Sequence, residues 1–533
     1  MLDAIVVGSG HNALVSACYL ADAGWSVEVL ERDTVPGGAV STVERFPGHL
    51  IDRGSSAHLM IRHSGIIEEL GLARFGLEYA ECDPWAFAPA PPDQPDRPGI
   101  VFHSDLDLTC ASIAAACGQR DADAYRHFVG IWGPLSRRVM SAFGGPPTGV
   151  SLGRAFAALG VPSLLGGEGG DIGEVAHTFL ATGDALLDEH FDDEPLKAAL
   201  AWFGAQSGPP MSEPGTAPMV GFAALMHSLP PGRAIGGSGA LTAAMVAKLR
   251  AGGSAVSLGD GATALRRRPD GSWSVATELG RTLTARTVVA GCHILTTLDL
   301  LEDSPRSAAW RRKIRVGPGI GMAVRLATTA LPVYPSAPAL TGAGVHAGLQ
   351  LLVNDRAHLR AGHGAALAGQ LPPRPASLAM TFSAVDPSLS PPGEHQMTLW
   401  SQWHPYRIAD GRTWAEVAES EADRVVAEIE RHAPGFESTI TARHIQSPVE
   451  LERELGLVGG NIMHVEMSLD QMLPFRPTPE LSGHRIPELP GLYLTGASTH
   501  PGGGVSGYSG RTAARLALAD ARGGLLRRLW ARR

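Results

Sequence analysis

A glycine-containing turn near the start of the chain constrains the fold more than any other feature. The stretch is GSGHNALVSACYLADAGWSVEVLE, residues 8–31, and it follows the apolar run Ala4–Val7. A short apolar run suits a strand that is buried on both faces, and the apolar positions that follow the turn recur at helical spacing. A second apolar run, Val27–Leu30, then ends in Glu31. The stretch therefore predicts a strand, a turn, a helix and a second strand, which together form a βαβ unit.

The turn also has the spacing of a dinucleotide-binding fingerprint. Gly8 permits the tight turn, Gly10 lets the backbone approach a pyrophosphate, and the helix N-terminus that follows attracts negative charge. The third fingerprint position is Ala13, the smallest departure from glycine at a place that serves close helix–strand packing. Glu31 lies 21 positions after Gly10, where a carboxylate can accept both hydroxyls of an adenosine ribose and would repel the 2′-phosphate of NADP. A glycine-rich turn without a ligand is the alternative.

A second glycine-dense loop lies near the other end of the chain. Residues 491–515, GLYLTGASTHPGGGVSGYSGRTAAR, read as an apolar strand, a loop and a helix that starts near Val505. The N-terminus of that helix would offer free amides to an anionic or polar cofactor atom. A flexible loop is the alternative for Gly502–Gly504. Paired with the first unit, the loop favours a cofactor site built from both ends of the chain.

Five strings of the sequence carry a resemblance to a known family. They are VVGSGHNALVSACYLADAGWSVEVLERDTVPGGA at 6–39, EPLKAALA at 194–201, DPSLSPPGEHQMTLWSQWHPY at 386–406, LERELGLVGGNIMHVEMSLDQM at 451–472 and LYLTGASTHPGGGVSG at 492–507. The chain resembles the phytoene desaturase and carotenoid isomerase branch of the flavin amine oxidase superfamily. Within that branch it is most similar to the group named for a pyridine nucleotide-disulphide oxidoreductase domain. The resemblance implies an α/β fold with a Rossmann-like FAD-binding domain of the glutathione reductase and amine oxidase type, and an inserted α+β substrate domain.

The resemblance also implies FAD as the cofactor and assigns its contacts position by position. Along the pyrophosphate and ribose these are Gly8, Ser9, Gly10, Asn12, Ala13, Glu31 and Arg32; around the flavin and its linker they are Gly37, Gly38, Ala39, Gly54, Ser55, Gly496, Ala497, Gly504, Val505 and Gly507, with Ala262 near the adenine. Many relatives carry Arg and Asp where this chain has Ala39 and Ala497. Contacts at those two positions would therefore use the backbone alone. The sequence shows no C-x-x-C or H-E-x-x-H metal-binding motif, so we expect no metal.

The pattern of the middle of the chain predicts how the domains are divided. Residues 236–291 hold a glycine-opened helix and a meander with a D-G turn, which is a strong hairpin signal. We expect the FAD-binding domain to comprise 1–75, 228–325 and 485–533. The substrate domain would comprise 76–227, which is helical in pattern, and 326–484. The second insert contains the strand-like runs SLAMTFSAV and QMTLWSQW, which predict a mixed sheet above the flavin.

Composition excludes several classes of function. The chain has 533 residues, 44% hydrophobic residues and a net charge of −9, so no basic field would attract nucleic acid. Its five cysteines form no C-x-x-C pair, and no charged-then-apolar leader precedes the first strand, which favours a cytoplasmic location. The longest apolar run, 155–167, is too short for a membrane span. The tail 525–533 is expected to be a solvated helix end, and peripheral contact with an anionic membrane surface is the alternative.

The resemblance implies the chemistry, and the single recognisable dinucleotide site implies an external electron acceptor. We expect an FAD-dependent oxidoreductase that dehydrogenates an apolar or conjugated small molecule, with oxygen or a quinone as the external electron acceptor. A redox-neutral isomerase, a C–N (amine) oxidase and a non-catalytic flavin-containing binding protein remain alternatives. His500 and Glu466 are the candidate acid–base groups, with hydrogen-bonded structural roles as the alternative. His11 and Asn12 are expected to cap the first helix.

Overall fold

The computed structural model describes residues 1–149, 151, 177–301, 305–317 and 319–530. The apolar run at 155–167 lies outside these residues, and the side chains of the tail at 525–533 are likewise not described. Two seven-stranded sheets organise the described chain. Within it, no helix combines the length and the apolar character that crossing a bilayer requires.

The first sheet contains the predicted βαβ unit. Its order is β10-β11-β12-β1-β2-β9, with β18 pairing with β12. Strands β1, β2, β9, β12 and β18 pair in parallel, and β10 and β11 complete an antiparallel meander. The bounds are β1 Leu2–Val7, β2 Val27–Glu31, β9 Ala255–Leu258, β10 Ala262–Arg267, β11 Trp273–Thr277, β12 Thr282–Ala290 and β18 Leu492–Leu494.

Strand β1 is apolar throughout its second half because both faces of the sheet are covered. Ala4 and Val6 face a core shared with the helices His11–Asp22, Gly239–Ala251 and Tyr508–Trp530. Ile5 and Val7 face the opposite core, which includes residues of β11, β12 and the helix Ile294–Leu300. Alternate residues of a strand point to opposite faces, so a strand between two cores cannot show a polar face.

The second sheet has the order β17-β13-β16-β15-β14-β6-β7 and is largely antiparallel. Its bounds are β6 Ala86–Ala88, β7 Ile100–Phe102, β13 Gly321–Thr328, β14 Leu349–Leu351, β15 Ala376–Met380, β16 His395–Gln402 and β17 Ile440–Gln446. One face packs on the helix Trp414–His432 through residues such as Met322, Val324 and Leu326. The intervening residues Ala323 and Arg325 point to the other face.

The remaining described strands and α-helices lie outside the two seven-stranded sheets. Two small antiparallel pairs join β3 Thr42–Phe46 to β4 His49–Asp52 and β5 Tyr79–Glu81 to β8 Gly232–Ala234. The other α-helices are Ile66–Glu69, Leu106–Cys117, Gln119–Phe143, Gly183–His190, Glu194–Ala205, Ala217–Gly221, Pro305–Lys313, Arg356–Leu367 and Pro448–Leu455. Several of them pack into one core with strands of the second sheet.

Two sequence expectations differ from the structure in position. The last helix begins at Tyr508 and not near Val505, because Gly504, Val505 and Gly507 have φ values of 98°, 52° and 71° that are incompatible with a right-handed helix. The boundary expected at residue 325 falls inside β13, which belongs entirely to the second sheet. β13 joins the second sheet through its pairing with β16 and β17, which are distant in the chain, so no local pattern marks the boundary.

Candidate functional site

The predicted phosphate-binding turn is open at its centre. Gly8 has a φ of 88°, which favours glycine, and Gly10 is the N-cap of the helix His11–Asp22 without any side-chain cap. A Cβ placed on Gly10 would meet no protein atom within 4 Å. The backbone of Gly38 lies on the other side of this space, and a Cβ placed on Gly38 would be 3.6 Å from the Cα of Gly10. The first amides of the helix therefore face a space bordered by backbone, which is an anion-binding geometry.

Glu31 ties the turn to the end of β2. The N–H and the hydroxyl of Ser9 each donate to Oε2 of Glu31 at 2.7 Å, and the N–H of Asp33 donates to Oε1 at 2.9 Å. The Ser9 hydroxyl oxygen in turn accepts from the N–H of Gly37 at 3.1 Å. These bonds fix the carboxylate at the strand end, where a ribose-binding acid is required.

Position 13 holds alanine where the fingerprint has its third glycine, and the residue that faces it, directly after β12, is Gly291. Ala13 is buried, and a Cβ added to Gly291 would lie 2.5 Å from the Cβ of Ala13. A methyl group at 13 is therefore accommodated only because residue 291 has none. This pairing explains why the departure from the fingerprint leaves the close packing of helix and sheet intact.

A single cavity of about 590 Å³ runs from this turn to the second sheet. Its volume is within the range of about 300–1,000 Å³ that small-molecule sites occupy. Its wall includes all the expected cofactor contacts except Ser9 and Gly507, namely Gly8, Gly10, Asn12, Ala13, Glu31, Arg32, Gly37, Gly38, Ala39, Gly54, Ser55, Ala262, Gly496, Ala497, Gly504 and Val505. Ser9 lies behind Glu31, and Gly507 packs where a Cβ would meet Ile61 and Ile66.

The opposite wall is one face of the second sheet. Arg325, Thr398, Met380 and Leu349 occupy paired positions on β13, β16, β15 and β14, and all four line the cavity. Trp400 and Leu378 form a second row beside them. Sequence analysis did not identify these residues as site residues. A signal was present in the sequence of β13, GMAVRLAT, where Arg325 interrupts an otherwise uncharged and mostly apolar run.

The two candidate acid–base groups lie away from the cavity wall. His500 is only 1% exposed, its ring packs edge-on against Phe143, and neither ring nitrogen has a hydrogen-bond partner among the residues that the structure describes. Burial lowers the pKa of His500 to about 3, so the ring is neutral. Glu466 is not part of the cavity wall and forms an ion pair with Arg315 at 2.8 Å. Neither geometry supports the expected acid–base role.

The expectation that His11 and Asn12 cap the first helix is wrong, because Gly10 holds the N-cap position. Both residues instead line the cavity. The Nε2 atom of His11 and the Oδ1 atom of Asn12 are buried without a hydrogen-bond partner in the described chain. Burial lowers the pKa of His11 to about 4, so its imidazole is neutral. Buried polar atoms without partners are rare in folded proteins and indicate a place for a polar ligand.

Two further histidines line the cavity. The rings of His293 and His464 stack with centroids 5.1 Å apart. His293 Nδ1 accepts the N–H of Leu295, so its Nε2–H donates to the carbonyl of His464 at 2.9 Å. His464 Nδ1 pairs with the hydroxyl of Ser498 at 3.1 Å. Burial lowers the pKa of both imidazoles, which therefore act as neutral hydrogen-bonding groups at pH 7.

These features together fit a dinucleotide cofactor. The open space at Gly10 suits a pyrophosphate, Glu31 is fixed at the strand end for a ribose, and His11 and Asn12 hold unpartnered polar atoms beside that space. The cavity then continues past Gly496 and Val505 to the apolar sheet wall. A flat polycyclic group at that end would contact both domains at once.

Comparisons with known proteins agree with this architecture. The model of the NAD(P)-binding Rossmann-like domain family matches residues 6–70. The pyridine nucleotide-disulfide oxidoreductase domain-containing protein 2 of Rattus norvegicus is 31% identical over 97% of this chain and 93% of its own length. Phytoene dehydrogenase of Streptomyces griseus is 26% identical over 94% of this chain and 92% of its own. A triple mutant of putrescine oxidase has the same fold, with a TM-score of 0.62 at 12% identity, over 98% of this chain and 99% of that one.

Proposed function

The chain belongs to the family of pyridine nucleotide-disulfide oxidoreductase domain-containing protein 2 within the flavin amine oxidase superfamily, and from this premise we propose that it is an FAD-dependent dehydrogenase of a molecule with a largely apolar body. The observation that carries the proposal is the single cavity that joins the phosphate-binding turn to the apolar face of the second sheet. An oxidoreductase needs its cofactor and its substrate in one enclosed space.

Each part of the chain has a defined task in this proposal. The backbone at Gly8, Gly10 and Gly38 would bind the pyrophosphate, and Glu31 would bind the ribose. When bound, FAD supplies the oxidant, which accepts a hydride from a substrate C–H bond. The sheet wall around Trp400 would hold the substrate in place and exclude water from the reacting carbon.

The proposal assigns no strong base to the cavity wall. The pKa of His11 and that of His293 are lowered to about 4 by burial, so both rings can donate and accept hydrogen bonds but bind protons weakly at pH 7. A proton that leaves a neighbouring substrate carbon would therefore be accepted by a weakly basic group or by water. The named relative phytoene dehydrogenase supports dehydrogenation of an apolar substrate over the alternative of amine oxidation.

The electron acceptor and the location are also part of the proposal. Oxygen or a quinone would reoxidise the cofactor, because one dinucleotide-binding unit is recognisable in the sequence. The free state of all five cysteines supports a reducing, cytoplasmic compartment. The net charge of −9 argues against nucleic acid as a partner. Contact of the tail 525–533 with an anionic membrane surface is retained as a secondary proposal.

Anaerobic titration of the purified, FAD-loaded protein tests the proposed reaction. Conjugated and apolar candidate substrates are added without oxygen, and the visible absorption band of oxidised flavin is followed. Bleaching by a candidate, with release of its dehydrogenated product, is the expected result. Conversion that requires prior chemical reduction of the flavin would favour a redox-neutral isomerase. Binding of candidates without bleaching or conversion would favour a non-catalytic flavoprotein and would contradict the proposal.

A further inference from the structure

Arg325 is a buried cation in the cavity wall whose hydrogen bonds all go to neutral groups. Its side chain is 3% exposed. Nε donates to the side-chain oxygen of Gln446 at 3.0 Å, one terminal nitrogen to the hydroxyl of Thr398 at 2.8 Å, and the other to the carbonyl of Arg53 at 3.1 Å. A guanidinium has five N–H donors, so two of them remain after these three bonds.

Two carboxylates, Asp52 and Glu454, interact electrostatically with Arg325, and each of them is paired with another arginine, as is Asp33 next to them in the pair with Arg53. Asp52 pairs with Arg233, Glu454 with Arg45 at 3.1 Å, and Asp33 with Arg53 at 2.7 Å. Across the residues that the structure describes, Arg325 itself forms no ion pair within 4 Å. Among these four arginines and three carboxylates, Arg325 is the arginine without an ion-pair partner, and it lines the cavity together with the already paired carboxylates of Glu454 and Asp33.

An unpaired buried cation is costly unless something compensates it. Burial lowers the pKa of Arg325 to about 10, with Asp52 and Glu454 opposing that shift, so the group remains protonated at neutral pH. The protein thus keeps a full positive charge at the surface of an internal cavity. A ligand with a negative charge would supply the missing partner.

The wall beside Arg325 changes from polar to apolar in one direction. Across adjacent strands the order is Arg325, Thr398, Met380 and Leu349. Neighbouring strands lie about 4.8 Å apart, so this row spans roughly 14 Å. The parallel row through Trp400 and Leu378 is apolar. This surface matches a molecule with a charged end and a long apolar body.

We propose that the substrate is an amphipathic carboxylate, whose carboxylate binds Arg325 and Thr398 and whose apolar body lies along Met380, Leu349 and Trp400. A carboxylate can accept both free N–H groups of a guanidinium, which makes the contact strong and directional. This inference rests on the proposed function, because it takes the sheet wall as the substrate side of the cavity. It narrows the substrate class from apolar molecules in general to those with one acidic end.

Binding of matched probes to the full chain tests the inference. Decanoate and decanol share an apolar chain and differ in charge, and isothermal calorimetry measures the affinity of each for the FAD-loaded protein. We expect decanoate to bind more tightly than decanol. Arg325→Gln should weaken decanoate about 10- to 100-fold, because one charged bidentate contact is lost, and should leave decanol within about threefold. Arg286→Gln, at an exposed arginine outside the cavity wall, is the control and should change neither affinity.

Four further outcomes separate this inference from its rivals. If Arg325→Gln does not fold, Arg325→Lys keeps the charge without the planar fork and should lose about tenfold for decanoate alone. Equal binding of the two probes to the wild-type protein would overturn the inference. An Arg325 variant that loses FAD itself, measured by flavin content, would make Arg325 a cofactor contact and would also overturn it. Failure of the wild-type protein to bind FAD would instead contradict the proposed function, whereas the decanoate preference can still be measured on that protein.

Discussion

Substitution of Gly10 by alanine separates cofactor binding from folding. The φ of Gly10 is −58°, which alanine adopts without strain, and the added methyl group would meet no protein atom within 4 Å. The same methyl group would stand in the space that we assign to the pyrophosphate. The substitution should therefore damage the site while leaving the chain folded.

The magnitudes follow from the local structure. Alanine is a poorer N-cap than glycine, but it also reduces the entropy of the unfolded chain, so the free energy of unfolding should change by less than about 1 kcal/mol. Hydrogen bonds from backbone amides to a charged phosphate contribute about 1.5–3 kcal/mol each. Loss of one or two of them, about 3 kcal/mol, corresponds to roughly 100-fold weaker FAD binding.

Flavin fluorescence titration of the apoprotein measures the affinity, and urea unfolding measures the stability. Gly130→Ala is the matched control, because Gly130 also has open space at its Cβ but lies in the helix Gln119–Phe143, outside the cavity wall. It should bind FAD with wild-type affinity. If Gly10→Ala binds FAD within about threefold of the wild type, the pyrophosphate does not lie at this turn and the reasoning is refuted.

Three other predictions concern the ribose contact of Glu31, the packing of Gly291 against Ala13, and the buried ring of His500. Glu31→Gln should weaken FAD binding about 10-fold or more, whereas Glu28→Gln on the same strand, whose carboxylate pairs with Arg281 outside the cavity, should not; equal losses in a fluorescence titration would contradict the ribose contact. Gly291→Ala should destabilise the fold by about 1–3 kcal/mol through its contact with Ala13, and Ala13→Gly in the same chain should recover much of this loss in urea unfolding; additive effects would refute the pairing. The ring of His500 is neutral in the folded protein, where its pKa is about 3, and takes up a proton in the unfolded chain below pH 6.5. The free energy of unfolding should therefore fall as the pH drops below 6.5, and His500 alone should contribute about 1.4 kcal/mol per pH unit to this fall. His500→Leu should flatten that dependence by about one proton, and an unchanged slope would show that His500 titrates normally.

The nucleotide-binding half of the site could be predicted from the sequence because its signals are local. Gly8, Gly10 and Glu31 belong to one βαβ unit, and their roles follow from spacing within 24 residues of chain, the stretch 8–31. The apolar runs of β1 and β2 also require a sheet covered on both faces. Secondary structure and cofactor contacts there need no knowledge of distant segments.

The substrate side could not be predicted in the same way. Arg325 takes its hydrogen-bond partners from Thr398, Gln446 and Arg53, which are 73, 121 and 272 positions away. Which face of β13 meets the cavity depends on how those segments pair, and no local pattern specifies it. His500 was wrongly predicted to be a site residue. Its position after an apolar strand suggested that it would face the cavity, whereas its ring packs against Phe143.

The most direct test of the account is the identity and amount of the nucleotide released when the purified protein is denatured. Chromatography with absorbance and mass detection gives both. We expect FAD at close to one molecule per chain after loading, and much less for Gly10→Ala. Release of NADP in place of FAD, or no uptake of FAD by folded wild-type protein, would contradict the central claim that both ends of the chain form one FAD site.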